Sequence, residues 1–262
     1  MMRSLWIAKT GMDVQQTQMD VTSNNLANAS TTGFKKSRAV FQDLLYQTVR
    51  APGAQSSQQS QLSSGLQLGT GATIASTERI FTQGTAQQTG DQLSVAINGL
   101  GFFQVLMPDG SLAYTRDGTF QTDSTGQLVT SAGYVLQPPI TIPPASTGIT
   151  IGTDGTVTST SMVNGINTST TLGQITLNTF INPPGLSARG EGLYSQTQSS
   201  GPPTQGIAGL NNVGYIQQGY IESSNVNIVE EMVNLIQNQR AYEINSKSIQ
   251  NADQMLSKLS QL

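Results

Sequence analysis

The sequence contains no cysteine and no histidine. Without cysteine the chain cannot form disulfides, thiolate metal sites or a cysteine nucleophile. Without histidine it lacks the most common general base and the most common metal ligand of enzymes. We therefore expect no catalytic residue, no metal site and no cofactor.

Charged residues are also scarce. Asp, Glu, Lys and Arg make up 10% of the chain and the net charge is −3, whereas an average globular protein has about 25% charged residues. The basic cluster of Lys35, Lys36 and Arg38 is too small for the several phosphate contacts that nucleic-acid binding requires. We expect no nucleic-acid partner, and we expect this cluster to lie on a solvated face.

Long apolar runs are missing as well. No run approaches the length of about 18 residues that would span a membrane. The first apolar run, from Leu5 to Ala8, is shorter than the roughly 7–15 residues of a signal-peptide core. We expect a chain that is not embedded in a membrane and has no cleavable signal peptide. Its 262 residues, 36% of them apolar, are enough to bury a core.

Two stretches at opposite ends of the chain carry a seven-residue apolar repeat. The first, from about Ser4 to Ala29, has no proline and a single glycine; the second follows Asn225 and extends to about Leu259. The repeat consists of Leu5, Met12, Met19 and Leu26 in the first stretch and of Ile228, Leu235, Tyr242, Ile249 and Leu256 in the second. This spacing predicts two helices with a coiled-coil seam.

Polar residues lie three positions after the apolar repeat in both stretches. They are Gln15 and Thr22 in the first and Glu231, Asn238 and Asn245 in the second. A half-polar seam gives an isolated helix pair little stability. We therefore expect the helices to become well ordered only when neighbouring subunits bury them.

The central part of the chain is typical of short antiparallel strands. Alternating apolar residues such as Leu93, Val95 and Ile97 end at turn sequences such as Asn98-Gly99, and these turns recur about every eight to ten residues. Four aspartates, Asp109, Asp117, Asp123 and Asp154, could be imagined as paired catalytic carboxylates. We interpret them as turn residues, because each precedes or opens a glycine-containing turn.

The segments between the helices and the strands differ in composition. An apolar patch between Phe34 and Tyr46 is expected to pack against the chain's own core, with helical spacing from Phe41 to Leu45. The segment from Tyr46 to Gly71, rich in Gln, Ser and Gly, is expected to be a loop or extended arm. Residues 182–219, punctuated by Gly and Pro, are expected to form a return connector.

We therefore predict an α+β, mainly β chain. Its antiparallel all-β central domain is flanked by long N- and C-terminal helices that pair as a coiled coil, and an extended β-rich arm is added. Residues 1–33 with 224–262 are predicted to form a discontinuous assembly domain, 34–71 with 195–223 a connecting domain with the arm, and 72–194 the central β-domain.

Several sequence motifs resemble one protein family. Near the N-terminus they are Thr10-Gly11-Met12, the stretch from Asp20 to Asn28 and the stretch from Thr32 to Arg38. Further along they are the stretches from Val95 to Phe103, Tyr114 to Phe120, Gly219 to Asn227, Glu230 to Ile236 and Gln239 to Asn245. On these motifs the chain resembles the bacterial flagellar axial proteins of the rod and hook, most closely the distal-rod members.

The resemblance implies a structural subunit and not an enzyme. It implies a self-assembling, hollow helical rod of many copies that crosses the periplasm, transmits motor torque to the hook and lets exported subunits pass through its channel. The partners implied are further copies of the chain, the proximal rod protein, the hook protein, the L- and P-ring proteins and the flagellar type III export apparatus.

The predicted subunit interface combines the apolar repeat with one methionine and the asparagines at the end of the first helix. These residues are Leu5, Met12, Met19, Asn24, Asn25, Leu26, Asn28, Ile228, Met232, Leu235, Tyr242, Ile249 and Leu256. For the asparagines, a simple helix stop is an equally good interpretation. The residues predicted to set the bends of a rod-stiffening arm are Pro52, Gly53, Gly65 and Gly69.

Two alternatives remain open from the sequence. The chain could be a proximal rod protein or a short hook protein of the same family. It could also be a secreted carbohydrate-binding or hydrolytic β-domain with helical ends, because two carboxylates are sufficient for glycoside hydrolysis.

Overall fold

The computed structural model describes residues 2–52, 55–57, 60–61, 64–163 and 166–259. One long helix lies at each end of the chain, α1 at Met2–Ala27 and α2 at Ile228–Leu259, and the segments between them are mainly strands. The predicted α+β, mainly β class with two terminal helices is confirmed.

The strands follow one another in short segments. They are β1 Ser37–Asp43, β2 Gln47–Arg50, β3 Gln55–Ser57, β4 Ser60–Gln61, β5 Leu66–Leu68, β6 Ala72–Arg79, β7 Ala86–Gln88, β8 Val95–Asn98, β9 Phe103–Leu106, β10 Leu112–Thr115 and β11 Phe120–Thr122. They continue as β12 Leu128–Thr130, β13 Val135–Gln137, β14 Ser146–Ile151, β15 Thr156–Val163, β16 Ile166–Gln174, β17 Thr176–Thr179, β18 Ser187–Gly190, β19 Leu193–Ser195, β20 Thr204–Ile207, β21 Tyr215–Gln218 and β22 Tyr220–Glu222. A short 3₁₀ helix at Pro183–Gly185 precedes β18.

The chain forms two compact units. Unit 1 contains residues 1–27, 37–79 and 227–262, and unit 2 contains residues 28–36 and 80–226. The predicted division into three domains, residues 1–33 with 224–262, 34–71 with 195–223 and 72–194, stays a prediction.

Unit 1 consists of the two helices and one long antiparallel hairpin. Strand β1 pairs with β6, β2 with β5 and β3 with β4. Helix α2 begins after Asn227, whose side-chain oxygen accepts hydrogen bonds from the backbone N–H groups of Val229 (3.1 Å) and Glu230 (3.4 Å). Asn227 is therefore the N-cap. The acidic side chains of the first turn, Glu230 and Glu231, interact favourably with the positive end of the helix dipole.

Unit 2 contains the antiparallel β-structure that the turn spacing predicts. Its largest sheet has seven strands in the order β11-β12-β13-β9-β10-β19-β18. The main apolar core packs beside this sheet and includes the fully buried Phe103, Leu136, Ile175 and Ile216. Within it, the rings of Phe103 and Phe120 meet edge to face at 5.1 Å.

Two expectations for the flanking segments are wrong. Residues 182–219 are not a plain connector, because β18 and β19 belong to the seven-stranded sheet of the central β-structure and β20 and β21 pair with β17 and β8. The patch between Phe34 and Tyr46 leaves large apolar residues exposed instead of packing them against a core: Phe41 lies on a strand and is exposed, and Leu45 is 89% exposed. The helical spacing was misleading because the antiparallel partner β6 holds the segment extended.

Candidate functional site

Unit 1 lacks large buried apolar side chains among its described residues. Its buried apolar residues are Ala8, Val14, Ala39 and Ala252. The three hydrophobic core clusters, in contrast, all consist of residues of unit 2. Because apolar burial is the main driving force of folding, unit 1 gains little of it within a single chain.

Helix α2 exposes an apolar stripe. The α2 stripe consists of Ile228, Val229, Met232, Val233 and Ile236, which are between 47% and 70% exposed. Their spacing of one, three and four residues places them on one side of the helix. A contiguous exposed apolar surface of this kind is typical of a protein–protein interface.

The long hairpin of unit 1 exposes further apolar side chains. They are Phe41, Leu45, Tyr46, Val49, Leu66, Leu68 and Ile74. On α1, Trp6 and Ile7 are exposed as well. Unit 1 thus presents apolar surface on both helices and on its hairpin.

Within unit 1 the two helices meet through small and polar residues. On α2 the most buried row has heptad spacing, with Glu231 and Ala252 buried and Asn238 and Asn245 half-buried. On α1, a Cβ atom added at Gly11 would lie 3.1 Å from Nδ2 of Asn245, which shows how closely the helices approach. The polar residues of the predicted seam are thus buried or half-buried, and the pairing of the helices as a coiled coil stays a prediction.

This helix contact leaves two polar atoms without a hydrogen-bond partner among the described residues. They are Oε1 of Gln18 and Nδ2 of Asn238, both buried. An unsatisfied buried polar group costs about 1–3 kcal/mol. The helix pair is therefore weakly stabilised in a single chain.

The predicted interface residues fall into three groups. Leu5, Met12, Met19, Leu26, Asn28, Leu235 and Ile249 are half-buried, whereas Asn24, Ile228, Met232 and Tyr242 are exposed. Asn25 is buried, and the side chain of Leu256 lies outside the described residues. Most of the apolar repeat is thus half-buried in the single chain, and its role as a subunit contact stays a prediction.

Asn25 uses its side chain within the chain. Its Nδ2 donates to the carbonyl of Ser37 and its Oδ1 accepts from the N–H of Ser37, both at 2.9 Å. These bonds tie the end of α1 to the start of β1, which favours the helix-stop interpretation for this asparagine.

The arm residues lie on or near the outer part of the hairpin. Strands β2 and β5 pair around Gly65, where an added Cβ would approach the carbonyl oxygen of Arg50 to 2.6 Å. A Cβ atom added at Gly69 would lie 3.4 Å from the ring of Tyr46, and Pro52 lies in a turn. Gly53 lies outside the described residues. Glycine is required at 65 because the hairpin strands approach too closely for a side chain.

The four central aspartates bind their own turns. Asp109 accepts from the N–H of Ser111 (2.8 Å), Asp117 from that of Thr119 (3.1 Å) and Asp154 from that of Thr156 (3.1 Å), while Asp123 bonds to Ser124 and Thr125. Hydrogen bonds from neighbouring hydroxyl and N–H groups lower the pKa of Asp109, Asp123 and Asp154. Their interpretation as turn residues is confirmed.

Three family models match the chain. "Flagella basal body rod protein" matches residues 5–35, "Flagellar hook protein FlgE/F/G D1 domain" residues 96–159, and "Flagellar basal body rod FlgEFG protein C-terminal" residues 217–262. The flagellar basal-body rod protein FlgG of Buchnera aphidicola subsp. Schizaphis graminum is 57% identical over all of both chains. The FlgG proteins of Borreliella burgdorferi and Bacillus subtilis are 48% and 38% identical, with 98% and 99% of this chain and 97% and 98% of theirs covered.

The chain belongs to the FlgG family of flagellar basal-body rod proteins. The resemblance seen in its sequence motifs is thereby confirmed, and so is its place in the flagellar basal body as a structural rod protein. Neither helix of this FlgG-family chain is long and apolar enough, over its described residues, to span a membrane.

One group of residues in the FlgG-family chain has a role that the sequence did not indicate. Lys35 was expected on a solvated face with Lys36 and Arg38, but its side chain is fully buried. Its Nζ donates to Oε1 of Glu222 at 2.5 Å, and Nε of Arg116 donates to Oε2 of the same carboxylate at 3.0 Å. Burial lowers the pKa of Lys35, and the nearby Glu222 opposes that shift.

This ionic cluster could not be found from local sequence. Lys35 and Glu222 are separated by 187 positions, and no periodicity connects them. They fall within the N-terminal and C-terminal family matches, respectively.

Proposed function

We propose that the chain is a subunit of the distal rod that assembles with many copies of itself into a straight, hollow helical shaft. The shaft transmits motor torque to the hook, and exported subunits pass through its channel. The observation that carries the proposal is the contrast between the two units. Unit 2 has its own core, whereas unit 1 buries only small apolar residues and exposes large ones.

The energetics of the α2 stripe support self-assembly. Full burial of an aliphatic side chain is worth about 1.5–3 kcal/mol. Its five side chains are about half exposed or more, so a neighbour that covers them gains about 1 kcal/mol from each. A contact between two different surfaces of the same chain repeats along an axis and forms a filament instead of a closed ring.

We propose further that α1 and α2 pair as a coiled coil within the rod. Their apolar repeats are only partly buried in the single chain, and their mutual contact is half-polar. Neighbouring helices that cover the apolar repeats would supply the missing stabilisation. Leu235→Asp is therefore expected to prevent assembly and leave unit 2 folded, whereas Gln250→Asp, at an exposed polar position of α2, is expected to assemble. Equal assembly of both variants would contradict the coiled-coil proposal.

The hairpin beyond β2 and β5 is proposed to extend as an arm that bridges neighbouring subunits and stiffens the rod. It exposes Val49 and Leu66, and its glycine at position 65 allows a tight approach of the two strands. Contacts of this kind oppose the sliding of subunits that bending requires.

The proposed partners beyond further copies are the proximal rod protein, the hook protein, the L- and P-ring proteins and the type III export apparatus. We also propose that the chain is not an enzyme, because its central aspartates are engaged in their own turns.

Electron microscopy of the purified full-length chain at increasing concentration tests the function. Straight hollow rods are expected. Curved tubes would instead support a hook protein, and a chain that stays monomeric at every concentration would contradict self-assembly.

A further inference from the structure

A nine-residue segment of unit 2 is inserted from unit 1. Residues 28–36 belong to unit 2, but the chain on both sides of them, residues 1–27 and 37–79, belongs to unit 1. No peptide bond joins this inserted segment to the rest of unit 2. It is held there by non-covalent contacts alone, and a pull along the backbone from α1 reaches unit 2 through it.

The main contact of the inserted segment is the buried side chain of Lys35. Its Nζ donates to Oε1 of Glu222 (2.5 Å) and to the carbonyl of Thr82 (2.8 Å). The side chains of Lys35 and Glu222 are 0% and 1% exposed. Charge-assisted hydrogen bonds are the stronger ones, and water cannot replace them one by one in a closed site. Withdrawal of the segment therefore requires all of them to break together.

The carboxylate of Glu222 is itself fixed from other sides. It accepts from Nε of Arg116 (3.0 Å) and from the N–H of Gly84 (2.8 Å). Arg116 in turn donates to the carbonyls of Gly99 (2.8 Å) and Gly101 (2.7 Å). The acceptor that holds Lys35 is thus tied to the loops beside the main sheet.

Hydrogen bonds from the backbone and from the Asn225 side chain join the inserted segment to residues near the other two places where the chain passes between the units. The N–H of Gly33 donates to the carbonyl of Glu222 (2.8 Å), and the N–H of Lys36 donates to Oδ1 of Asn225 (2.7 Å). The N–H of Ile80 donates to the carbonyl of Lys36 (2.9 Å), and Nδ2 of Asn225 donates to the carbonyl of Ile80 (2.8 Å). Lys36, Ile80 and Asn225, which lie at or next to three of the four places where unit 2 continues into unit 1, are thus hydrogen-bonded to one another.

We propose that Lys35, acting through Glu222, anchors the inserted segment so that unit 2 bears torsional load without releasing it. Lys35 holds the inserted segment in place, and its fully buried side chain leaves no surface for a subunit contact. The inference rests on the proposed function, because the anchor is proposed to act under the torque that the rod transmits.

Hydrogen exchange of the full-length monomer tests the anchor directly. In Lys35→Met, the amides of Gly33 and Lys36 are expected to exchange at least tenfold faster than in the parent. The amides of β9 are expected to keep their protection, because they lie in the main sheet. Arg189→Met is the matched control, since it removes an exposed ion pair of the same unit (3.5 Å to Asp109). If Lys35→Met loses protection in β9 as well, unit 2 of that variant is unfolded. The same measurement is then made on Lys35→Gln, whose side chain keeps a hydrogen-bond donor without the charge.

The second readout is performance under load. Cells with Lys35→Met are expected to form rods and swim in dilute medium but to lose motility several-fold more than the parent in viscous medium. Arg189→Met is expected to behave as the parent. Unchanged exchange at Gly33 and Lys36, or motility equal to the parent at high viscosity, would overturn the anchor. If the parent chain failed to form rods, the proposed function would be overturned instead. The hydrogen-exchange result is measured on the monomer and does not depend on rod formation.

Discussion

The α2 stripe offers the sharpest test of assembly, through the substitution Ile236→Asp. Ile236 is 48% exposed in the single chain. The substitution removes about half the burial of one isoleucine, worth about 1 kcal/mol, and an aspartate at an exposed helix position adds only a few tenths more. Unit 2 contains none of these atoms, so its core is expected to remain folded.

The cost in the assembled state is larger. If a neighbour covers Ile236, the variant loses a further 1 kcal/mol or so of apolar burial. It must also bury an unpaired carboxylate, at an effective cost of about 3 kcal/mol or more. A total of about 4 kcal/mol at ~1.4 kcal/mol per tenfold raises the concentration needed for assembly by about a thousandfold.

The assay is sedimentation of the purified chain over a concentration series, with electron micrographs of the pellet and circular dichroism of the soluble fraction. Gln237→Asp is the matched control, because Gln237 is also exposed and lies about 100° round the helix from Ile236. Ile236→Asp is expected to stay soluble with parental helix content at concentrations where Gln237→Asp forms rods. Identical assembly of the two variants would refute the assignment of the stripe to a subunit contact.

Three further outcomes follow from the structure. Phe103→Ala is expected to lower the free energy of unfolding of unit 2 by about 3–5 kcal/mol in urea titrations, because the ring is fully buried against Phe120; a loss under about 1 kcal/mol would contradict the packing. Deletion of residues 53–65 is expected to leave rods that form but appear bent in micrographs, and rods as straight as the parent's would dismiss the stiffening arm. The pKa of Asp154 is lowered in the folded chain, so its contribution is present above its ordinary pKa and lost as pH falls through the folded value. Asp154→Asn is therefore expected to be less stable than the parent near neutral pH, with the difference shrinking between about pH 5 and pH 2 in urea titrations; a constant difference would contradict the hydrogen-bonded turn.

Local patterns in the sequence were sufficient for the two terminal helices and for the turns between the central strands. The absence of proline and the seven-residue repeat determined α1 and α2, because helix formation depends on backbone freedom and on side chains three and four positions apart. Turn residues such as Asp109 and Asp154 determined where strands end, because an aspartate bonds to the backbone two positions on. The family, too, could be inferred from motifs within each region.

Long-range pairing decided what the patterns could not. The spacing from Phe41 to Leu45 fits a helix, but strand β6 pairs with this segment and exposes its apolar residues. The basic residues at 35–38 read as a solvated cluster, yet Lys35 is buried because Glu222, far along the chain, supplies its counter-charge. Whether a charged or apolar side chain is buried depends on which distant groups surround it, and only the tertiary structure brings those groups together.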